Sequence, residues 1–319
     1  MRLRRSELST PASNERMIEK AAGSNADLVF LDLEDSVAPN EKVGARAKVI
    51  HALKTLDWGK KTRAVRVNDL ETEYAYQDII SVVEEAGDYL DIIMVPKVKS
   101  ARDVWWVDVL ITQIEKRLQR TKRIGLEVLI EEVEAMIHAE EIARASSRLE
   151  ALIFGPGDYS ASQGIEAKYI GNDLDTYPGD LWHYARNKVV IAARAAGLDA
   201  IDGPYLDFKN AEGYRRECIR SKVLGMVGKW AIHPDQIDIA NQVFSPSQEE
   251  VDRARRMDAV YREAQDKGLG AVAFEGKMID VAVVSCGRRC GPVQDIWMDV
   301  PHVVAALKRE DVAAALEQG

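Results

Sequence analysis

From about residue 7 to residue 235, short aliphatic runs alternate with longer segments of helical period, and this rhythm constrains the fold more than any other feature. The runs are Glu7–Pro11 (the weakest), Asp27–Asp32, Arg63–Val67, Asp91–Pro96, Leu126–Ile130, Ala151–Phe154, Ala200–Asp202 and Gly228–Ile232. Apolar runs this short, bounded by Gly, Pro or charge, read as strands of a parallel sheet buried on both faces. Between them, Ala101–Gln119 repeats Val104, Val107, Leu110, Ile111 and Ile114 at helical spacing, and Leu181–Ala196 places Trp182, Ala185, Val189, Ala192 and Ala193 on one face. About eight strands with intervening helices predict an α/β fold, the (β/α)8 TIM barrel. The competing doubly wound sheet in its dinucleotide-binding form loses ground, because no Gly-x-Gly-x-x-Gly follows the early strands.

After Ile237 the pattern changes. Phe244-Ser245-Pro246-Ser247 is a break, and Ser247 with Glu250 has the spacing of a capping box opening a charged helix, Gln248–Lys267. Gly268 to Gly270 end that helix, and Ala271–Ile279 leads into a tail read as irregular, with one last helix possible after Pro301. The expected organisation is a barrel over residues 1–243 and a small, largely helical C-terminal module over 244–319.

Composition narrows the function. Of 319 residues, 46% are hydrophobic and 30% charged, proportions able to bury a large core. Lys and Arg number 43 against 52 Asp and Glu, a net charge of −9, so the electrostatic footprint of nucleic-acid binding is missing. Cys218, Cys286 and Cys290 are an odd set, which argues against a disulfide framework and for a reducing cytoplasm. No apolar run approaches the ~18 residues of a membrane helix, and the charged N-terminus lacks an apolar signal core. The expectation is a cytoplasmic protein with neither nucleic acid nor membrane as partner.

Barrel enzymes place their chemistry where strands run into the following loops. Here those positions hold Glu34 and Asp35, Arg66 and Asn68, Lys97, Glu131 and Glu132, Asp158 after Gly155-Pro156-Gly157, Asp202, and His233. Each has a plainer reading. Glu34 and Asp35 suit a helix N-terminus, Lys97 a solvated charge, and His233 a hydrogen-bonded loop. Arg66 is harder to set aside: strand alternation turns it opposite to Val65 and Val67, into the barrel, where a guanidinium needs an anionic partner or ligand. The sharpest signal is Glu131 with Asp158. Both lie just beyond adjacent strands, and two carboxylates with water or substrate oxygens completing the shell is how Mg²⁺ is usually held. A carboxylate pair bridged by Arg or Lys is the alternative.

These residues occur in an ordered set of motifs: Arg5-Ser6-Glu7-Leu8 with Pro11 and Ser13, Asp32-Leu33-Glu34-Asp35-Ser36-Val37-Ala38-Pro39, Leu56-Asp57-Trp58-Gly59, Val65-Arg66-Val67-Asn68 and Ile93-Met94-Val95-Pro96-Lys97-Val98. Glu127-Val128-Leu129-Ile130-Glu131, Asp202-Gly203-Pro204 and Gly228-Lys229-Trp230-Ala231-Ile232-His233-Pro234 complete it. In this the chain resembles the HpcH/HpaI aldolase and citrate lyase β-subunit superfamily, most closely its malyl-CoA/β-methylmalyl-CoA lyase branch, as far as Asp280. The resemblance implies a Mg²⁺-dependent (or Mn²⁺-dependent) carbon–carbon lyase that joins or parts an acyl-CoA and a 2-oxo acid. It implies Glu131 and Asp158 as metal ligands, Arg66 at the thioester oxygen, and Glu34, Asp35 and Lys97 around them. Asp280 is implied as a proton-transfer group on a C-terminal lid lent by a neighbouring subunit. Ser9, Asn14, Lys20, Gly157, Ile232 and His233 are implied along the substrate and CoA path, and a homo-oligomer, trimer or hexamer, as the assembly.

The departures define the rival readings. Ala12 replaces a usual Gly, Asn14 an Arg, and Ser9 a larger residue; Glu132 and Ala135 replace a Thr or Ser and a Gly. The loop Gln163–Gly179 is shorter than in malyl-CoA lyases, and Ser285-Cys286-Gly287-Arg288-Arg289-Cys290-Gly291 stands where a regular helix is usual. Rival activities are citramalyl-CoA or citryl-CoA cleavage, malyl-CoA thioester hydrolysis, a CoA-independent hydroxy-oxo-acid aldolase, and a catalytically lapsed binding subunit.

Overall fold

A computed structural model describes residues 2–166 and 179–288. Eight parallel strands close into a barrel in chain order: β1 (Ser6–Pro11), β2 (Leu28–Asp32), β3 (Thr62–Arg66), β4 (Ile92–Val95), β5 (Gly125–Ile130), β6 (Leu149–Phe154), β7 (Asp199–Asp202) and β8 (Gly228–Ala231). The helices between them are α1 (Glu15–Ala22), α2 (Lys42–Thr55), α3 (Ala75–Ala86), α4 (Ala101–Arg117), α5 (Val133–Ile137), α6 (Ala139–Ala143), α7 (Pro156–Gln163), α8 (His183–Ala195), α9 (Ala211–Leu224) and α10 (Asp235–Phe244). The weakest expected strand, Glu7–Pro11, is a full six-residue strand, because it pairs on both sides, with β2 and β8.

Alternation along each strand sorts the core into two layers. Outward residues such as Val29, Leu31, Val65, Ile93, Val128 and Leu152 pack under the helices. Inward residues Leu28, Phe30, Ala64, Ile92, Met94, Leu129, Ile153, Ile201 and Trp230 fill the barrel. Below them the N-terminal end is plugged by Arg4, whose guanidinium meets Glu127 at 2.8 Å and Asp199 at 3.3 Å and also pairs with Glu150. The opposite end, where the strands stop, is left to polar side chains.

Asp202 is a correction to the sequence reading. It alternates with the inward Ile201 and so points away from the rim, into a buried charge network between β7, β8 and the outer helices. Its carboxylate accepts from Arg186 (3.0 Å), Ser221 and Lys229 (2.7 Å), while Lys229 also meets Glu217 at 2.8 Å. Asn68 is likewise structural: its amides donate to Asp78, and its oxygen accepts from Lys42.

Residues from Ser245 form a second compact unit. Its helix α11 (Gln248–Asp266) opens with the expected capping box of Ser247 and Glu250. A hairpin follows, β9 (Ala271–Phe274) and β10 (Lys277–Asp280), turning on Glu275 and Gly276, both at positive φ, as a tight two-residue turn requires. Met257, Tyr261, Phe274, Ile279 and Val284 form its core. Val281–Arg288 is a helix, α12, where an irregular tail was expected; Asp280 accepts from the amides of Ala282 and Val283, both at 3.0 Å, and so caps it. Cys290, Gly291, Pro292 and the helix expected after Pro301 lie outside the described residues, as do residues 167–178 of the loop read as short. Among the described residues, no helix is long and apolar enough to cross a membrane.

Two measurements check this ledger of buried charge. Lys229 is 0% exposed, so Lys229→Met leaves Asp202 and Glu217 to share the single cation Arg186 and should destabilise the barrel by about 3 kcal/mol in urea unfolding. Asp91 is a pH probe: burial alone would raise its pKa, but hydrogen bonds from Arg63 and Lys122 hold it down at about 2. A depressed carboxylate contributes stability that is present above its unfolded value near 4 and is lost as pH falls through about 2. Asp91→Asn should therefore melt below the wild type at pH 6, with the gap closing between pH 4 and 2.

Candidate active site

The site grows from the last inward positions of β2 and β3. Phe30 faces inward, so Asp32 two residues on does too, and register sets it beside Arg66. Arg66 grips it with two parallel bonds, Nε and Nη2 each 2.7 Å from a carboxylate oxygen, the planar fork geometry for which arginine is suited. Nη1 meets Glu34 at 3.0 Å. The guanidinium lies over the inward rings of Trp230 and Phe30, 5.4 and 5.9 Å from their centroids. Burial works against its charge, but Asp32 and Glu34 hold its pKa above the usual arginine range.

Asp32 also shapes the loop that follows. It accepts from the amides of Glu34 (2.9 Å) and Ser36 (3.2 Å), while Lys42 donates to the carbonyls of Leu33 and Glu34. Glu34 and Asp35 are thus held in the β2–α2 loop, eight and seven residues before the first residue of α2, which corrects their reading as helix N-terminal charges. Burial, with Asp35 alongside, pushes the Glu34 carboxyl up to about 7 against the pull of Arg66 and Lys97.

Lys97 is a second correction. Far from being a solvated charge, its side chain is 19% exposed, with the ammonium 2.5 Å from Glu34, 3.1 Å from Asp35 and 3.7 Å from Asp158. It follows β4 with φ at +50°, a region L-residues rarely enter, and its backbone amide donates to Glu131 Oε1 at 2.8 Å.

Glu131, one residue beyond β5, is buried. A side chain at Gly155 is excluded, since its Cβ would fall 2.4 Å from Glu131 Oε2; that glycine keeps the space in which the carboxylate sits. Pro156 then opens α7, placing Asp158 in its first turn, where the helix dipole favours a carboxylate. Asp158 is more open, with its side chain 42% exposed. Burial pushes the Glu131 carboxyl up to about 8, and repulsion from Asp158 adds to this despite Arg66 and the Lys97 amide. Five carboxylates (Asp32, Glu34, Asp35, Glu131, Asp158) therefore face two cations, Arg66 and Lys97.

That donor set fits a divalent cation. The chemistry is hard oxygen, and Glu131 with Asp158 leaves most of an octahedral shell to water and substrate.

The remaining expected residues are spread over several elements. Ser9 is half-buried on β1 and, by alternation with Leu8, faces inward. Asn14 caps α1 through the Met17 amide, and Lys20 is exposed in the last turn of that helix, about 9 Å along its axis. Ile232 and His233 follow β8, which adjoins β1; both amides donate to Gln236, and the His233 imidazole stacks on Phe208, 5.1 Å between centroids. Gly157 is exposed in the first turn of α7. Asp280 belongs to the second unit, where it caps α12. Asp32 was missed as a site residue; the alternation Leu28, Phe30, Asp32 was the signal that could have found it.

Known proteins resemble this chain over most of its length. Residues 5–234 match the model of the HpcH/HpaI aldolase/citrate lyase family. An L-malyl-CoA/β-methylmalyl-CoA lyase of Cereibacter sphaeroides is 45% identical over 88% of this chain and 91% of its own. A (3S)-malyl-CoA thioesterase of the same species is 37% identical over 86% and 89%. Among solved structures, protein CitE from Mycobacterium tuberculosis in complex with magnesium, acetoacetate and coenzyme A superposes with a TM-score of 0.72 at 28% identity, covering 89% of this chain and 96% of that one. With the barrel and its acidic rim already in place, the match over most of the sequence makes this chain a member of the HpcH/HpaI aldolase/citrate lyase family.

Proposed function

We propose that the protein is a divalent-metal-dependent carbon–carbon lyase that reversibly cleaves malyl-CoA or β-methylmalyl-CoA to glyoxylate and acetyl-CoA or propionyl-CoA. The observation that carries this reading is the pairing of a buried Glu131 and an open Asp158 on a rim short of positive charge, next to the fixed guanidinium of Arg66. The similarity to a malyl-CoA lyase supports the choice of substrate.

Glu131 and Asp158 would hold Mg²⁺, with Mn²⁺ as the alternative ion. When bound, such an ion supplies Lewis-acid polarisation of a keto oxygen and orients the 2-oxo acid. Arg66 serves the other half of the substrate. In the cleavage direction the substrate hydroxyl loses its proton and its C–O becomes C=O. The electron pair of the broken C–C bond passes into a thioester enolate, which takes a proton on carbon to give the acyl-CoA. Two of the five guanidinium donors are bonded to Asp32, and Glu34 is held beside Nη1 as an ion pair, which leaves donors to meet the enolate oxygen. Because the fork on Asp32 fixes the plane of the guanidinium beforehand, little reorganisation accompanies the developing charge. Ser9, Asn14, Gly157, Ile232 and His233 line the CoA approach in this reading, with Lys20 further along α1. Asp280 carries proton transfer from the lid of a neighbouring subunit, an assignment supported by the resemblance.

Condensation of acetyl-CoA with glyoxylate should require added Mg²⁺ and be abolished by EDTA. Glu131→Gln, whose amide oxygen still accepts from the Lys97 amide, should fold normally and weaken Mg²⁺ binding by at least ~100-fold, read by calorimetry. Product analysis separates cleavage from thioester hydrolysis: free malate in place of glyoxylate would replace this reading with a thioesterase. Asp280→Asn keeps an N-cap for α12, so the second unit should stay folded. Its condensation rate should fall by ~10²-fold or more, the usual size of a general acid–base contribution, with Mg²⁺ affinity unchanged.

A further inference from the structure

Lys97 stands where backbone geometry favours glycine, and this is the starting point. At φ +50° most L-residues are disfavoured, yet the chain places there a long cationic side chain that doubles back over the rim. The contacts of this one residue reach three loops. Its amide holds Glu131 after β5, its ammonium holds Glu34 and Asp35 after β2, and the same ammonium reaches Asp158 after β6.

The lengths of these contacts are unequal. Glu34 at 2.5 Å and Asp35 at 3.1 Å are within hydrogen-bond distance, whereas Asp158 at 3.7 Å is held only as a loose ion pair. An incoming divalent ion can therefore take Asp158 from the ammonium while Lys97 remains anchored on the β2–α2 loop. The charge balance gives the consequence. Five carboxylates face Arg66 and Lys97; without the ammonium they face Arg66 alone, one unit more negative, which attracts a free cation more and repels an anionic 2-oxo acid more.

We propose that Lys97 is a positioning residue and resident counter-charge of the metal site: its amide fixes Glu131, and its ammonium neutralises Asp158 until a divalent ion replaces it. Lys97 thereby weakens the binding of the free ion and lowers the barrier to an anionic keto acid. The proposal rests on the metal-dependent reading above.

The test is Mg²⁺ calorimetry without substrate, together with glyoxylate kinetics, on wild type, Lys97→Met, Lys97→Gly and Glu131→Gln. Lys97→Gly relieves the positive φ, so it should melt no lower than the wild type and guards against a folding failure of the methionine variant. Both Lys97 variants should bind Mg²⁺ several-fold more tightly than the wild type, with the KM for glyoxylate raised ~10-fold or more. Lys97→Arg should restore both values towards those of the wild type. Unchanged or weaker Mg²⁺ binding in both variants, while wild type binds and Glu131→Gln does not, overturns the role of Lys97 alone. Wild type that binds no Mg²⁺ overturns the metal reading and this inference together.

Discussion

The Asp32–Arg66 ion pair is the constraint on which the rest of the site depends. An arginine inside a barrel is tolerable only when its charge is met, and two 2.7 Å bonds to a fully buried carboxylate meet it. Once Asp32 is committed to Arg66 and to the Glu34 and Ser36 amides, the loop after β2 can run in one direction only. That direction carries Glu34 back against the guanidinium and brings Asp35 within reach of Lys97. Each charge is therefore positioned by another, and the chain of contacts ends at Asp158, whose one tie to it is loose.

This arrangement also divides the barrel along its axis. At the N-terminal end, Arg4 is surrounded by Glu127, Glu150 and Asp199, a plug in which Arg2 also meets Glu150 and Arg194 also meets Asp199, three cations for three carboxylates. In the middle lies an apolar layer with Trp230 and Phe30 beneath Arg66. At the C-terminal end carboxylates outnumber cations, and two of them, Glu34 and Glu131, are pushed up to about 7 and about 8, chiefly by burial. A plug whose charges pair reads as stability. A rim whose carboxylates outnumber its cations reads as a place for a further cation.

The barrel was legible because its strands are buried on both faces and so appear as unbroken aliphatic runs; even the weak first run emerged as a strand. The placement of Glu131 and Asp158 at the rim was legible for a related reason, since each lies within four residues of the end of a strong strand. Asp202 was misjudged because proximity to a strand end does not give direction. One position of alternation turns it from the rim to Arg186 and Lys229, and only the register with Ile201 reveals this. The hairpin of the second unit was missed because its strands are short and half-exposed, without an apolar run to announce them.

Lys97 was misread for a different physical reason. No local pattern marks a lysine at positive φ; the residue looks like any charge ending a strand before a loop. What gives it meaning is three segments converging on it from 34 to 63 residues away in sequence. The sequence does mark the ends of that convergence: a glycine that leaves room for Glu131 and a proline that starts α7 just before Asp158. Backbone devices of this kind place the two carboxylates, and the ammonium of Lys97 then sets the charge they experience. In the role proposed for Lys97, position is specified through glycine, proline and an amide and affinity through an anchored cation, so the affinity can change without disturbing the geometry.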